Sequence, residues 1–214
     1  DGDWSSDVCS PISLALMGDA FEQLGTLDSA LYYYTRASML EPENEMFNNK
    51  QYALLIQSGD ALLPEEEQAA LDFYDQAIDI YPKRAVALEK KADVLYNLEK
   101  YDQAQQLYAL AHLTARNSTR LSTKLAKIDN INNVTQQNLE TGRKLIQAGK
   151  YDQAKAALNK AVQTKPNSKE ARYLLHLATG LRLYKKGSKN ALWEAIEEFG
   201  FASFLFPDRA QPHY

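Results

Sequence analysis

The side chains that could do chemistry are carboxylates, lysines and arginines. Asp72, Asp75 and Asp79 stand at i, i+3 and i+7, so a helix would carry them on one face. Nothing beside them completes a catalytic constellation, and they read as the solvated side of an amphipathic helix. The three histidines, His112, His176 and His213, are scattered, with no pair at metal-ligand spacing. Cys9 is the single cysteine, which excludes a disulfide framework and argues against a cysteine-based metal site. There is no glycine-rich phosphate loop, no H-E-x-x-H, no nucleophile elbow and no EF-hand loop. The acidic run Glu65-Glu66-Glu67 suits a helix N-terminus. Lys185, Lys186 and Lys189 make a basic turn, read as a solvated loop, with a phosphate or acidic-partner contact as the sharper alternative. The chemistry on offer is binding, with no catalytic residue, no cofactor and no metal expected, and the chain does not read as an enzyme.

Those charges must be positioned by regular elements. The chain has 214 residues, of which 45% are hydrophobic, enough for a core. No apolar run approaches the roughly 20 residues that a membrane-spanning helix requires. Nine glycines and seven prolines punctuate too sparsely for many short strands, which favours long helices. The chain also repeats itself. KYDQA occurs at 100–104 and again at 150–154. Ala30, Tyr34, Ala37 and Pro42 share their spacing with Ala70, Tyr74, Ala77 and Pro82, and with Ala195, Phe199, Ala202 and Pro207. Upstream of the first set, Leu14, Met17, Gly18 and Phe21 form a helical stripe. Each unit is therefore a helix, a tight turn and a second helix stopped near a proline. Gly18, Ala30, Ala37, Ala92 and Ala104 allow close helix approach, and Tyr34, Tyr74 and Tyr108 fill the space beside them. Neither helix alone can bury its stripe, so neighbours stack.

This pattern resembles the tetratricopeptide repeat family, a helical hairpin of about 34 residues. The resemblance runs from residue 11 to 207. It implies an all-α, right-handed superhelical solenoid of about five stacked antiparallel helix pairs. The units fall at 11–44, 45–84, 85–118, 135–168 and 169–209, with 210–214 opening a truncated further one. Unit 2 is expected to hold extra residues near Asp60 to Glu67, and unit 5 around Lys185 to Asn190. Residues 119–134 are too short for a repeat and form an extra helix, either separate or continuous with the next, with a bend expected at Asn130, Asn132 and Asn133. Residues 1–10 fit nothing downstream, and Asp3 to Ser10 resemble the translation of a sequencing adapter. They are read as a non-native scar or a disordered terminus. Phe199, Phe201, Phe204 and Phe206 are expected to lie exposed at the far end.

In this family the first helices line the inner face and hold a peptide or partner protein. The matching positions are Asp19, Glu22 and Gln23 in unit 1, and Glu89, Asp93, Tyr96 and Asn97 in unit 3. Unit 4 supplies Arg143, Ile146 and Gln147, and unit 5 supplies Arg172, Thr179 and Arg182. Ala15 and Asp19 stand where chaperone-binding members carry lysine and asparagine, which argues against that partner. Asp19 and Asn97, as groove surface, should tolerate alanine. Charge is segregated: residues 1–116 hold 20 acidic and 8 basic side chains, and residues 117–214 hold 8 acidic and 16 basic. Such a dipole can steer a partner or favour self-association. Arg143, Arg172 and Arg182 favour an acidic partner, whereas the acidic total and the lack of an aromatic–basic motif argue against nucleic acid. The expected function is a protein-interaction scaffold. The alternatives are the interaction module of a larger enzyme and a component of a self-assembling or envelope complex.

Overall fold

The structure, a computed structural model, describes residues 10–115 and 118–209. Among the described residues there are ten α-helices and no strand: α1 Pro11–Gln23, α2 Leu27–Leu40, α3 Glu45–Ala61, α4 Glu67–Ile80, α5 Ala85–Asn97, α6 Tyr101–Thr114, α7 Thr119–Gln147, α8 Tyr151–Thr164, α9 Lys169–Lys186 and α10 Lys189–Leu205. A short 3-10 turn, Pro207–Arg209, follows. The chain forms two compact units that divide between Ser122 and Thr123. The helices pair as hairpins: α1–α2, α3–α4 and α5–α6 in the first unit, and the later part of α7 with α8, then α9–α10, in the second.

Related local chemistry builds the hairpins. In the first and fourth, the turn after the first helix takes one left-handed residue, Gly25 at φ 73° and Gly149 at φ 69°, whereas the turn after α3 has none. Glycine enters that region without the steric cost of a Cβ. The third hairpin places Glu99 there instead, at φ 58°. Within each pair a small residue of the first helix meets a ring or branched side chain of the second. A Cβ on Gly18 would lie 2.7 Å from the Tyr34 ring, one on Gly59 2.7 Å from Tyr74, one on Gly142 2.5 Å from Leu158 and one on Gly180 2.5 Å from Phe199. Around each contact sit alanines that are fully buried, among them Ala30, Ala37, Ala70, Ala77, Ala104 and Ala154. Replacing Ala30 or Ala104 with leucine should therefore overpack the crossing and cost about 1–3 kcal/mol. Exposed Asn97→Ala should stay within about 0.5 kcal/mol. Equal melting shifts for the two kinds of variant would contradict this packing.

Several sequence expectations change in detail. The extra residues of the second hairpin do not lie near Asp60–Glu67. They precede Gly59: the stretch from Pro42 to Gly59 is seven residues longer than that from Pro82 to Ala92. All seven lie in α3, which has 14 residues before Gly59 against seven before Ala92 in α5. Seven residues are close to two helical turns, so the added length leaves the buried stripe on the same side. In the fifth hairpin four extra residues precede Gly180 inside the 18-residue α9, and three more lie between Gly180 and Ala195, across the turn at Lys185–Asn190 where the sequence places them. In the turn at Lys185–Asn190, Gly187 is left-handed at φ 70° and Ser188 caps α10.

Residues 119–134 are the opening part of the 29-residue α7, and Asn130, Asn132 and Asn133 are helical throughout. Residues 1–9 and 210–214 lie outside the described residues. Ser10 belongs to the fold, because its Oγ accepts a hydrogen bond from the Ser13 amide at 3.2 Å and caps α1. At the other end Phe199 packs on Gly180, and Phe206 meets the Tyr173 ring edge-on. Only Phe201 and Phe204 of the four phenylalanines are exposed.

Candidate functional site

In the first unit the site grows from the close helix crossings. Each small residue that receives a tyrosine ring is followed by an aspartate: Gly18-Asp19, Gly59-Asp60 and Ala92-Asp93. One position along a helix turns the side chain about 100°, so the ring fits the small residue while its hydroxyl reaches the neighbouring carboxylate. Tyr34 donates to Asp19, Tyr74 to Asp60 at 2.7 Å, and Tyr108 to Asp93. Burial first, then the adjoining carboxylate, hold all three phenols well above the usual tyrosine range. The Tyr34 hydrogen bond, followed by Lys50, keeps the Asp19 carboxyl below the usual carboxylate range.

A lysine from the next first helix closes each of the first two sets. Lys50 on α3 lies 3.1 Å from Asp19 and 2.8 Å from Glu22 on α1. Lys90 on α5 lies 2.7 Å from Asp60 on α3. These contacts tie α1 to α3 and α3 to α5, which places Asp19, Glu22, Lys50, Asp60 and Lys90 on one face shared by the first helices. The side chains of Asp19, Lys50, Asp60 and Lys90 are about two-fifths exposed. They are held in place and still partly exposed.

The sequence points to Asp19, Glu22 and Asp93 for this face, and does not point to Lys50, Asp60 or Lys90. A signal for Asp60 is still present in the spacing, since a tyrosine follows each aspartate by 14 or 15 residues: Asp19 to Tyr34, Asp60 to Tyr74, Asp93 to Tyr108. Gln23 and Asn97 are exposed, while Tyr96 packs edge-on against Tyr101 at 5.3 Å. Glu89 is buried, at 5% exposure, and paired with Arg120. It supports the fold more than it offers a contact. Asp19 also differs from a tolerant surface position. Alanine there would strand the hydroxyl of Tyr34, a residue only 1% exposed, and should cost about 1–3 kcal/mol in a urea melt.

The second unit lacks the tyrosine–aspartate pairs, because Leu158 and Phe199 occupy the ring positions. Its polar contacts run from arginine. Arg143 donates to Glu170 at 2.9 Å, Arg182 lies 3.6 Å from Asp152, and Arg172 and Gln147 are exposed. Ile146 and Leu175 are partly buried against the unit's core. Thr179 is buried, with its hydroxyl donating to the Leu175 carbonyl at 2.8 Å. His176 Nδ1 lies 2.6 Å from Glu198, joining α9 to α10. Among the described residues no group of three histidine, cysteine or acidic side chains could hold a metal ion, and no helix is long and apolar enough to cross a membrane.

The family model described as tetratricopeptide repeat matches residues 142–168. That stretch holds the Gly142–Leu158 crossing, whose counterparts recur in the other hairpins. Residues 142–168 match a tetratricopeptide repeat. Among solved structures the chain is similar to the P58(IPK) TPR domain, at 13% identity over 94% of this chain and 76% of that one, with a TM-score of 0.47. It is also similar to YrrB, a TPR protein with an unusual peptide-binding site, at 16% identity over 95% and 90% of the two chains and a TM-score of 0.39. The third is the TPR2AB domain of yeast Sti1 in a pHSP90 complex, at 14% identity over 94% and 80%, with a TM-score of 0.37. No curated protein sequence matches the chain. Within the hairpins the tyrosine–aspartate–lysine contacts belong to the first unit and the arginines to the second.

Proposed function

We propose that the chain is a protein-interaction module that holds a peptide segment on the face shared by its first helices. The observation that carries this reading is the row Asp19, Lys50, Asp60 and Lys90, in which each charge is fixed by a neighbour and still partly exposed. Fixing side chains before binding removes part of the ordering cost that a ligand would otherwise meet. In the second unit Arg143 and Arg172 favour a segment rich in carboxylates, because a guanidinium pairs with a carboxylate through two parallel hydrogen bonds. Exposed ion pairs contribute only about 0–1 kcal/mol each, so binding is modest and weakens as salt shortens the roughly 8 Å Debye length of physiological buffer.

The test titrates acidic and basic peptide libraries against the wild-type chain and against Arg143→Ala/Arg172→Ala. Acidic peptides should bind preferentially, and the double variant should weaken them by up to about twentyfold. Equal binding of both libraries, or an unaffected double variant, would remove this assignment and leave the fold untouched.

A further inference from the structure

Two clefts of similar size open at the same place in the repeat, where the turn of one hairpin meets the end of the next first helix. One, of about 440 Å³, lies between Gly25–Ser29 and the end of α3 at Ser58–Leu62. The other, of about 420 Å³, lies between Gly149–Gln153 and the end of α9 at Arg182–Lys186. The close crossings put the two in register, Gly25 matching Gly149 and Gly59 matching Gly180. Thr26 then stands where Lys150 stands and Ala61 where Arg182 stands, and past Ala61 α3 has ended, whereas α9 continues through Lys185 and Lys186. No cation lines the first cleft. The four cations that line the second, Lys150, Arg182, Lys185 and Lys186, are therefore a property of that cleft and not a demand of the repeat.

The basic cleft also has unused bonding capacity. The Arg182 Nε is buried without a hydrogen-bond partner, and its Nη1 is 3.6 Å from Asp152, too far for a hydrogen bond. Lys185 lies over the Tyr151 ring at 5.9 Å, which sets its ammonium at the rim. The floor is the N-terminus of α8, a 14-residue helix with no side-chain cap from Lys150. The first amides of a helix lack intrahelical partners and carry the positive end of its dipole. Asp152 is the one acidic side chain in the lining.

We propose that this turn-edge cleft is a second peptide site, separate from the first-helix face, and that it takes an acidic segment. One carboxylate pairs with Arg182 in place of Asp152, and a neighbouring one lies between Lys185, Lys186 and the α8 amides. The inference rests on the chain being a peptide-binding module, and adds a site that the first-helix reading does not contain.

The experiment uses the full chain, a short labelled glutamate-rich peptide and its glutamine counterpart, read by fluorescence anisotropy. Arg182→Gln/Lys185→Gln/Lys186→Gln should weaken the glutamate peptide by about tenfold or more, with Arg143→Ala/Arg172→Ala changing this component by less than about twofold. A circular-dichroism melt checks that the triple variant remains folded, and Lys185→Gln/Lys186→Gln, at two exposed positions, serves if it does not. Loss only in Arg143→Ala/Arg172→Ala would overturn the cleft while preserving the first-helix face. Equal binding of the glutamine peptide would overturn the cleft on its own. Wild-type self-association that disappears in the triple variant would seat a second copy there and overturn the peptide as its occupant.

Discussion

Raising the pH past about 10 should unfold the first unit steeply. Tyr34, Tyr74 and Tyr108 are held protonated in the folded chain, by burial and by the carboxylates that accept their hydroxyls. Below about pH 10, the ordinary tyrosine value, folded and unfolded chains both keep these protons and pH has no leverage. Above it the unfolded chain releases protons that the folded chain retains, so stability falls as pH rises towards the elevated folded values. The slope approaches about 1.4 kcal/mol per pH unit for each tyrosine, or about 4 for the three together. A typical domain has only about 5–15 kcal/mol to lose. Urea melts across this range, read beside tyrosinate absorbance, provide the check. Unfolding and the appearance of the last phenolates should coincide, beginning in the first unit, since Leu158 and Phe199 at the matching places do not titrate. Gradual ionisation of all 13 tyrosines with helicity intact would refute it. Changing the three tyrosines to phenylalanine should raise the alkaline limit even while lowering stability at neutral pH.

Tyr74→Ala should cost about 3–5 kcal/mol, the range for emptying a large aromatic site. The ring is fully buried against Gly59, and the adjoining backbone can close only part of the space. Tyr74→Phe keeps the ring and removes one donor. Asp60 retains Lys90 and is 38% exposed, so water can replace the lost hydroxyl, and the cost should be about 0.5–1.5 kcal/mol. Denaturant midpoints of the two variants separate packing from hydrogen bonding. Similar losses in both would mean that the carboxylate contact, and not the ring, holds this crossing.

The hairpins were legible because their signal is steric. An alanine, a ring four residues on and an alanine three further can be read from spacing alone, and Gly18 opposite Tyr34 is that spacing made physical. Lys50 and Lys90 were not legible. They sit one hairpin away from the carboxylates they meet, and no local period links Lys50 to Asp19 or Lys90 to Asp60. Glu89 misled for a related reason: its position along α5 suits an outward face, but Arg120, from 31 residues downstream, covers it. Pro64 and the acidic residues Glu65, Glu66 and Glu67 cluster at the turn of the second hairpin and draw the expected extra length there. Its true position was recoverable only by anchoring on Gly59, whose partner ring shows where the register restarts.

The length of α3 has a consequence for how such a chain can vary. Its seven added residues preserve angular phase, since they bring the helix round almost to where it began. Additions of two or five residues would instead rotate everything upstream of Gly59 by roughly half a turn and bring Phe47 and Leu54, both buried, out into water. Permissible changes in a first helix are thus quantised. The helix may grow or shrink by whole turns, altering how far its N-terminal end projects, while the side chains presented to a partner keep their bearing. Reach and recognition can drift independently, and only the first of them in steps.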